Sequence, residues 1–113
     1  MKARVVKVSE LELRVINNVM YRFIFDENSG SKCLIMRIAE LPPGGEVSEH
    51  THSDEEQAYY ILSGRGIVKI AGEEYHIEPN HAVFIPLNTP HKVINTGTSP
   101  LVYIFFNAKI GCI

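Results

Sequence analysis

The chain has 113 residues, 45% of them apolar and 21% charged, and eleven Lys and Arg against thirteen Asp and Glu leave a formal charge of -2. That length makes one domain, residues 1–113, with a core that buries roughly two-thirds of the unfolded chain's surface. The near-neutral charge, without a cluster of Lys or Arg, excludes nucleic acid and anionic membrane surfaces as first partners, and the longest nearly apolar run, Leu101 to Phe106, is far below the roughly 20 residues that cross a bilayer.

Apolar residues recur at every second position or in short runs, the period of strands rather than helices. Arg4–Val8 reads as a first strand. Its Lys7, followed by Glu10, Glu12 and Arg14, interrupts the apolar stretch a secretory signal needs, so a cytoplasmic protein is expected. Leu11–Ile16 reads as a further strand or a short turn of helix. Val19–Phe25, Cys33–Glu40, Gln57–Leu62, Gly66–Ile70, Glu74–Ile77, Ala82–Ile85, His91–Asn95 and Leu101–Phe106 are predicted strands, rich in Val, Ile, Tyr and Phe. Turn residues separate them at 26–30, 42–45, 63–66, 71–72, 79–80 and 96–100, a spacing that suits a small antiparallel sandwich or barrel. Cys33 and Cys112 show no Cys-x-x-Cys spacing, so neither a thiolate zinc site nor a redox motif is indicated. Two unpaired thiols are the favoured reading, Cys112 lying in a mobile end, and a disulfide between them is left open.

His50 and His52 stand at i and i+2 in Gly44-Gly45-Glu46-Val47-Ser48-Glu49-His50-Thr51-His52. Alternate side chains of an extended segment point the same way, so two imidazoles can grip one ion. A third, His91, opens a later run behind Pro90, which holds the chain before it extended. A lone histidine is best read as a packed or surface residue; three that an antiparallel barrel can bring together point to a divalent metal.

These residues resemble the two motifs of the cupin superfamily. The first, G-x5-H-x-H-x(3,4)-E-x6-G, is matched by Gly44, His50, His52 and Gly64, and the second, G-x5-P-x-G-x2-H-x3-N, by Pro86, His91 and Asn95. Motif 1 falls at about 44–64 and motif 2 at about 72–95 of a single domain. The resemblance implies an all-β jelly roll (double-stranded β-helix) with a metal site in the barrel interior. Asn88 stands where the second motif has glycine, a mild change because Asn tolerates the left-handed conformation.

Counting back from Gly64, the position of the motif's glutamate holds Gln57, with Glu56 one place earlier. A one-residue slip turns a side chain to the other face of a strand, and Gln57 is favoured inward, Glu56 remaining the alternative. The predicted metal set is therefore His50, His52, Gln57 and His91. Three imidazoles and an amide cancel none of a divalent ion's charge, so the site is expected to be electrophilic and open to an oxygen-rich anion. A glutamate at 57 is expected to tighten metal and weaken anions. Such ligands suit Fe, Ni, Cu or Zn, with Mn open on grounds of availability.

Tyr59 and Ile61 share the parity of Gln57, and a buried Tyr59 hydroxyl needs a partner such as a ligand oxygen or a water. Along the last strand Tyr103 and Phe105 compete with Val102, Ile104 and Phe106 for the inward face, and the sequence leaves that parity open. Arg37 would meet a ligand carboxylate if it pointed inward, although solvent is the commoner direction. His76 and His81 are read as surface and turn residues, and Asp54-Glu55-Glu56 as a solvated acidic loop.

Two functions are expected from this set. One is a metal-dependent enzyme that carries out dioxygenation, decarboxylation or isomerisation on an oxygen-rich, anionic small molecule. The chain shows no Gly-x-Ser-x-Gly elbow, phosphate-binding Gly-rich loop or His-Glu-x-x-His helix, so catalysis would rest on the ion. The other is a non-catalytic module that holds a metal or small ligand. A DNA-binding regulator acting by itself is not expected, because 113 residues leave no space for a helix-turn-helix domain beside the barrel. Sheet edges left by Arg4–Val8 and Leu101–Phe106 argue for a homodimer, as single-domain cupins often are.

Overall fold

Ten strands follow one another in a computed structural model that describes residues 3–112. They are β1 (Arg14–Ile16), β2 (Val19–Phe25), β3 (Leu34–Leu41), β4 (Glu46–His50), β5 (Glu55–Ser63), β6 (Gly66–Ile70), β7 (Glu73–Ile77), β8 (Ala82–Ile85), β9 (His91–Ile94) and β10 (Leu101–Lys109). All pairings are antiparallel and form two sheets, β1-β2-β3-β10-β5-β8 and β4-β9-β6-β7. The expected jelly roll is therefore present, with the core between the sheets.

Alternation decides what enters that core. Along β5 the inward row is Gln57, Tyr59 and Ile61, and across the ladder Tyr103 lies opposite Ile61, Phe105 opposite Tyr59 and Asn107 opposite Gln57. This register settles the parity of β10: Leu101, Tyr103 and Asn107 are buried, and Phe105 packs against the core. Gly64 closes the β5–β6 turn at φ 81°, and a Cβ there would run into Pro100 O and the Leu101 backbone. Both the left-handed backbone and the close approach require the motif's glycine.

Three expectations need correction. Leu101–Phe106 leaves no sheet edge, since β10 pairs with β3 on one side and β5 on the other. Arg4–Val8 forms no strand: Val5 is fully exposed and the first regular turn is a 3-10 turn at Val8–Glu10. Its period was right, but a strand needs an edge to pair with, and β1 instead takes the edge beside β2. That pairing is made by a two-residue turn, Asn17-Asn18, with both residues at positive φ (50° and 67°) and Ile16 opposite Val19; paired asparagines are a hairpin signal. The cysteines are not free thiols. Cys33 and Cys112 are joined, Cα–Cα 5.4 Å, because β10 runs three residues beyond Phe106 alongside β3, with Ala108 opposite Leu34 and the Lys109 N–H donating to Cys33 O at 3.2 Å.

Candidate metal centre

The three motif histidines meet at one end of the smaller sheet. His50 ends β4 and lies opposite His91, which begins β9. Between the Val47–Val93 pair and this one, β4 carries one residue more than β9. That bulge reverses the parity of β4, so Val47 and His50, three residues apart, both face inward. His52 follows just past the strand end, where its carbonyl accepts the Asn88 N–H at 2.7 Å. Asn88 has φ 55°, the left-handed conformation expected of the residue at the motif's glycine position. Ring centroids are 4.2 Å apart for His50 and His91, 4.9 Å for His50 and His52, and 5.7 Å for His52 and His91. One ring nitrogen from each lies within 4.8 Å of the others, so the triad could hold a metal ion.

The hydrogen bonds show which nitrogens are available. His50 Nδ1 lies 2.7 Å from Ser48 O, and His91 Nδ1 lies 2.9 Å from Thr89 O. A carbonyl only accepts, so each Nδ1 carries a proton, and in the neutral ring this leaves the lone pair on Nε2. His91 is 1% exposed, and its Nε2 is buried with no hydrogen-bond partner among the described residues. Such an orphan acceptor costs free energy unless something binds it. Burial lowers the His91 pKa most; the hydrogen bond to Thr89 O, next in size, raises it, and His50 and His52 lower it by less, so the net direction is down. The ring is thus neutral and ready to donate its lone pair, which fits a metal ligand.

Gln57 faces the same cavity and is 3% exposed. Its amide donates through Nε2 to Glu55 Oε1 at 3.3 Å and accepts the Tyr59 hydroxyl on Oε1 at 3.1 Å. Because a carboxylate can only accept, this pairing fixes the amide orientation. Tyr59, itself buried, has thus found its partner in a side chain of the site, and burial raises its pKa well above the ordinary value. Glu56 turns to the outer face of β5. Glu55 corrects the solvated-loop reading: its side chain is only 12% exposed, it lies 3.5 Å from His52 Nδ1, and it also accepts from Asn107 Nδ2. Sequence reasoning missed it, although position 55 has the same parity as 57.

The cavity beside the triad measures about 160 Å³. Arg37 forms part of its wall, together with His50, His52, Glu55, Tyr59 and Phe105. Its guanidinium carbon lies over the rings of Phe105 (4.7 Å), Phe23 (5.1 Å) and Tyr21 (5.6 Å), which neutralises the rings' negative faces but supplies no acceptor. Its hydrogen bonding reduces to a 3.5 Å contact from Nη2 to Asn107 Oδ1, and Nε is buried without a partner among the described residues. The group was expected more often in solvent, and the register explains the difference: Arg37 pairs with Phe105 and Phe23, both on the inner face. His76 lies exposed on β7, and His81 Nδ1 accepts the Glu78 N–H in a turn at 3.1 Å. Neither belongs to the cavity.

Comparison with known proteins agrees with this geometry. The cupin domain model matches residues 37–107. An oxalate-binding protein of Thermotoga maritima is 29% identical over 108 residues, 88% of this chain and 89% of that one. An uncharacterized protein of Methanocaldococcus jannaschii is 38% identical over 63 residues, 56% of this chain, and the tetracenomycin polyketide synthase protein TcmJ of Streptomyces glaucescens is 33% identical over 66 residues, 58% of this chain. The matches span 50% and 44% of those two relatives. Among solved structures, a Thermotoga maritima protein described as a predicted oxalate decarboxylase superposes with a TM-score of 0.87 at 27% identity, over 95% of this chain and 100% of that one. The polyketide cyclase RemF of Streptomyces resistomycificus shares the fold, with a TM-score of 0.85 at 18% identity, over 96% of this chain and 82% of that one. With more than half of its residues matched by the family model and a jelly roll that gathers the motif histidines, the chain belongs to the cupin domain family.

Proposed function

We propose that this cupin domain binds a divalent transition metal through His50, His52 and His91 and acts on a small anionic, oxygen-rich molecule. Gln57 adjoins as a neutral and weak donor, because its one oxygen already accepts the Tyr59 hydroxyl. Positions are thereby left to a ligand. When bound, the ion supplies a Lewis acid that polarises or chelates ligand oxygens. Arg37 binds and orients the ligand's carboxylate, and the rings around it exclude water.

The single observation that carries the sign of the ligand is Arg37. A guanidinium with five donors and one weak contact, in the wall of the cavity that His50 and His52 also line, calls for an anion. The oxalate-binding relative makes a dicarboxylate the natural probe. The test is titration of the zinc-loaded protein with oxalate, malonate and a neutral diamide. Saturable binding of the acids alone supports the reading; equal binding of the diamide, or none of any, counts against it. Decarboxylase, dioxygenase or isomerase activity is the catalytic form of the proposal, and binding without turnover across a panel of such acids would leave the module.

The same reading includes a homodimer and a cytoplasmic site of action. Among the described residues β1 is an outer strand that exposes Val15 and Ile16, with Leu13 exposed just before it. A second copy pairing with this edge would cover them. Sedimentation of a monomer at micromolar concentration would remove the dimer. Cytoplasmic residence requires the Cys33–Cys112 bond to withstand a reducing thiol pool, which thiol labelling of freshly lysed cells would reveal.

A further inference from the structure

We propose that Glu55 is the charged partner of the metal centre, a positioning residue that holds His52 by its Nδ1 and supplies the negative charge that the motif's glutamate would otherwise bring. The inference rests on the reading of the histidine triad as a metal site, and it explains three features together.

The first is the difference among the histidines. The Nδ1 atoms of His50 and His91 are each held by a carbonyl two residues earlier, so the backbone itself orients them. His52 lies beyond the end of β4, and its Nδ1 faces a side chain instead, Glu55 Oε1 at 3.5 Å. A carboxylate against the non-ligating nitrogen fixes the tautomer and makes the ring a stronger donor than a carbonyl does.

The second is the convergence on one oxygen. Glu55 Oε1 accepts from Gln57 Nε2 and from Asn107 Nδ2 as well as facing His52. Two buried amides on neighbouring strands, Asn107 directly opposite Gln57 in the ladder, are thereby committed to a single carboxylate. Desolvating a carboxylate is unfavourable unless donors surround it, and these residues provide them.

The third is the amide at position 57. A glutamate there would place a carboxylate oxygen where Gln57 Nε2 now donates, 3.3 Å from Glu55 Oε1. Two carboxylates at that separation repel. Gln57 and Glu55 are therefore one linked substitution: the charge has moved two residues along the same face of β5, and the amide left behind donates to it. It follows that Gln57→Glu alone does not tighten metal, contrary to what the motif suggests, and does so only when Glu55 is neutralised.

Zinc affinity by chelator competition, measured on the whole chain, tests this. Glu55→Gln should weaken zinc about 10- to 100-fold, Gln57→Glu should give no gain, and the double variant Glu55→Gln/Gln57→Glu should recover most of the loss. Wild-type affinity in Glu55→Gln, or a double variant no better than Glu55→Gln, would overturn the proposal. A measurement that needs no variant is the nitrogen-15 histidine spectrum of the zinc-loaded wild type. The His52 Nδ1–H should resonate further downfield than those of His50 and His91, as a proton shared with a carboxylate does; an unshifted signal would also overturn it. Failure of the metal reading looks different, since then the wild type itself would not bind zinc.

Discussion

His91 faces His50 across the β4–β9 pair with ring centroids 4.2 Å apart, its Nδ1–H committed to Thr89 O and its Nε2 buried without a partner. An uncompensated lone pair beside a second imidazole is an arrangement that a cation stabilises and that an empty site does not. His91→Ala and His50→Ala should each reduce metal per chain to near zero in protein purified without chelator. Chelation of the wild type should lower its melting temperature, because a ligand at 100 times its Kd contributes about 2.7 kcal/mol to stability. Unchanged metal content in both variants would remove the site.

Arg37 should control ligand affinity and leave the metal alone. A hydrogen bond to a charged group is worth about 1.5–3 kcal/mol, so Arg37→Ala should weaken oxalate by about 10- to 100-fold in calorimetric titration, with metal content unchanged. Arg37→Lys should restore little of this, since a point charge reproduces neither the planar fork nor the stacking on Tyr21, Phe23 and Phe105. A lysine variant that binds as the wild type does would show that net charge alone matters.

What the sequence disclosed and what it withheld divide along a physical line. The strand period, the turn residues and the pairing of His50 and His52 with His91 follow from local alternation and motif spacing, and the barrel and triad were legible from them. Long-range register was not. Asn107 and Arg37 enter the cavity because β10 runs between β3 and β5, with Phe105 opposite both Arg37 and Tyr59; no local pattern states that alignment. The β4 bulge that turns His50 inward and the extra length of β10 that joins Cys112 to Cys33 are likewise properties of pairing. Glu55 was hidden for a different reason: an acidic triplet after a strand is usually solvated, and only the donors around it show that this member is not.

Alkaline pH should destabilise the barrel. Burial raises the pKa of Tyr21, Tyr59 and Tyr103 above the ordinary value of 10.0. In the unfolded chain these phenols ionise near that value, whereas the folded state keeps them protonated, so above it the folded state binds more protons. The stability they contribute is complete below pH 10 and is lost as pH rises towards their folded pKa values. Denaturant midpoints should therefore fall as pH rises past 10, and tyrosinate absorbance should show ionisation of these tyrosines delayed until unfolding. Midpoints flat across that range, with the absorbance of all five tyrosines complete before unfolding, would contradict the burial of this cluster.

Reduction of the Cys33–Cys112 bond should cost more stability than its place near the chain end suggests. The bond closes a loop with a sequence separation of 79, and cross-linking a loop of that size lowers the entropy of the unfolded chain by an amount worth about 4.5 kcal/mol at 25 °C. The loss should show as a lower denaturant midpoint in reductant and in Cys33→Ser/Cys112→Ser alike, with a slope altered because the unfolded chain becomes less compact. The bond also anchors the segment whose Ile110 N–H donates to Asp54 O at 2.8 Å, next to Glu55 and two residues from His52. Release of that anchor should loosen the histidine loop, so metal affinity should fall in the reduced protein by a smaller factor than in Glu55→Gln. A reduced protein that keeps the oxidised midpoint would mean that strand β10 holds its place by pairing alone, and that the covalent tie contributes neither to the barrel nor to the metal centre.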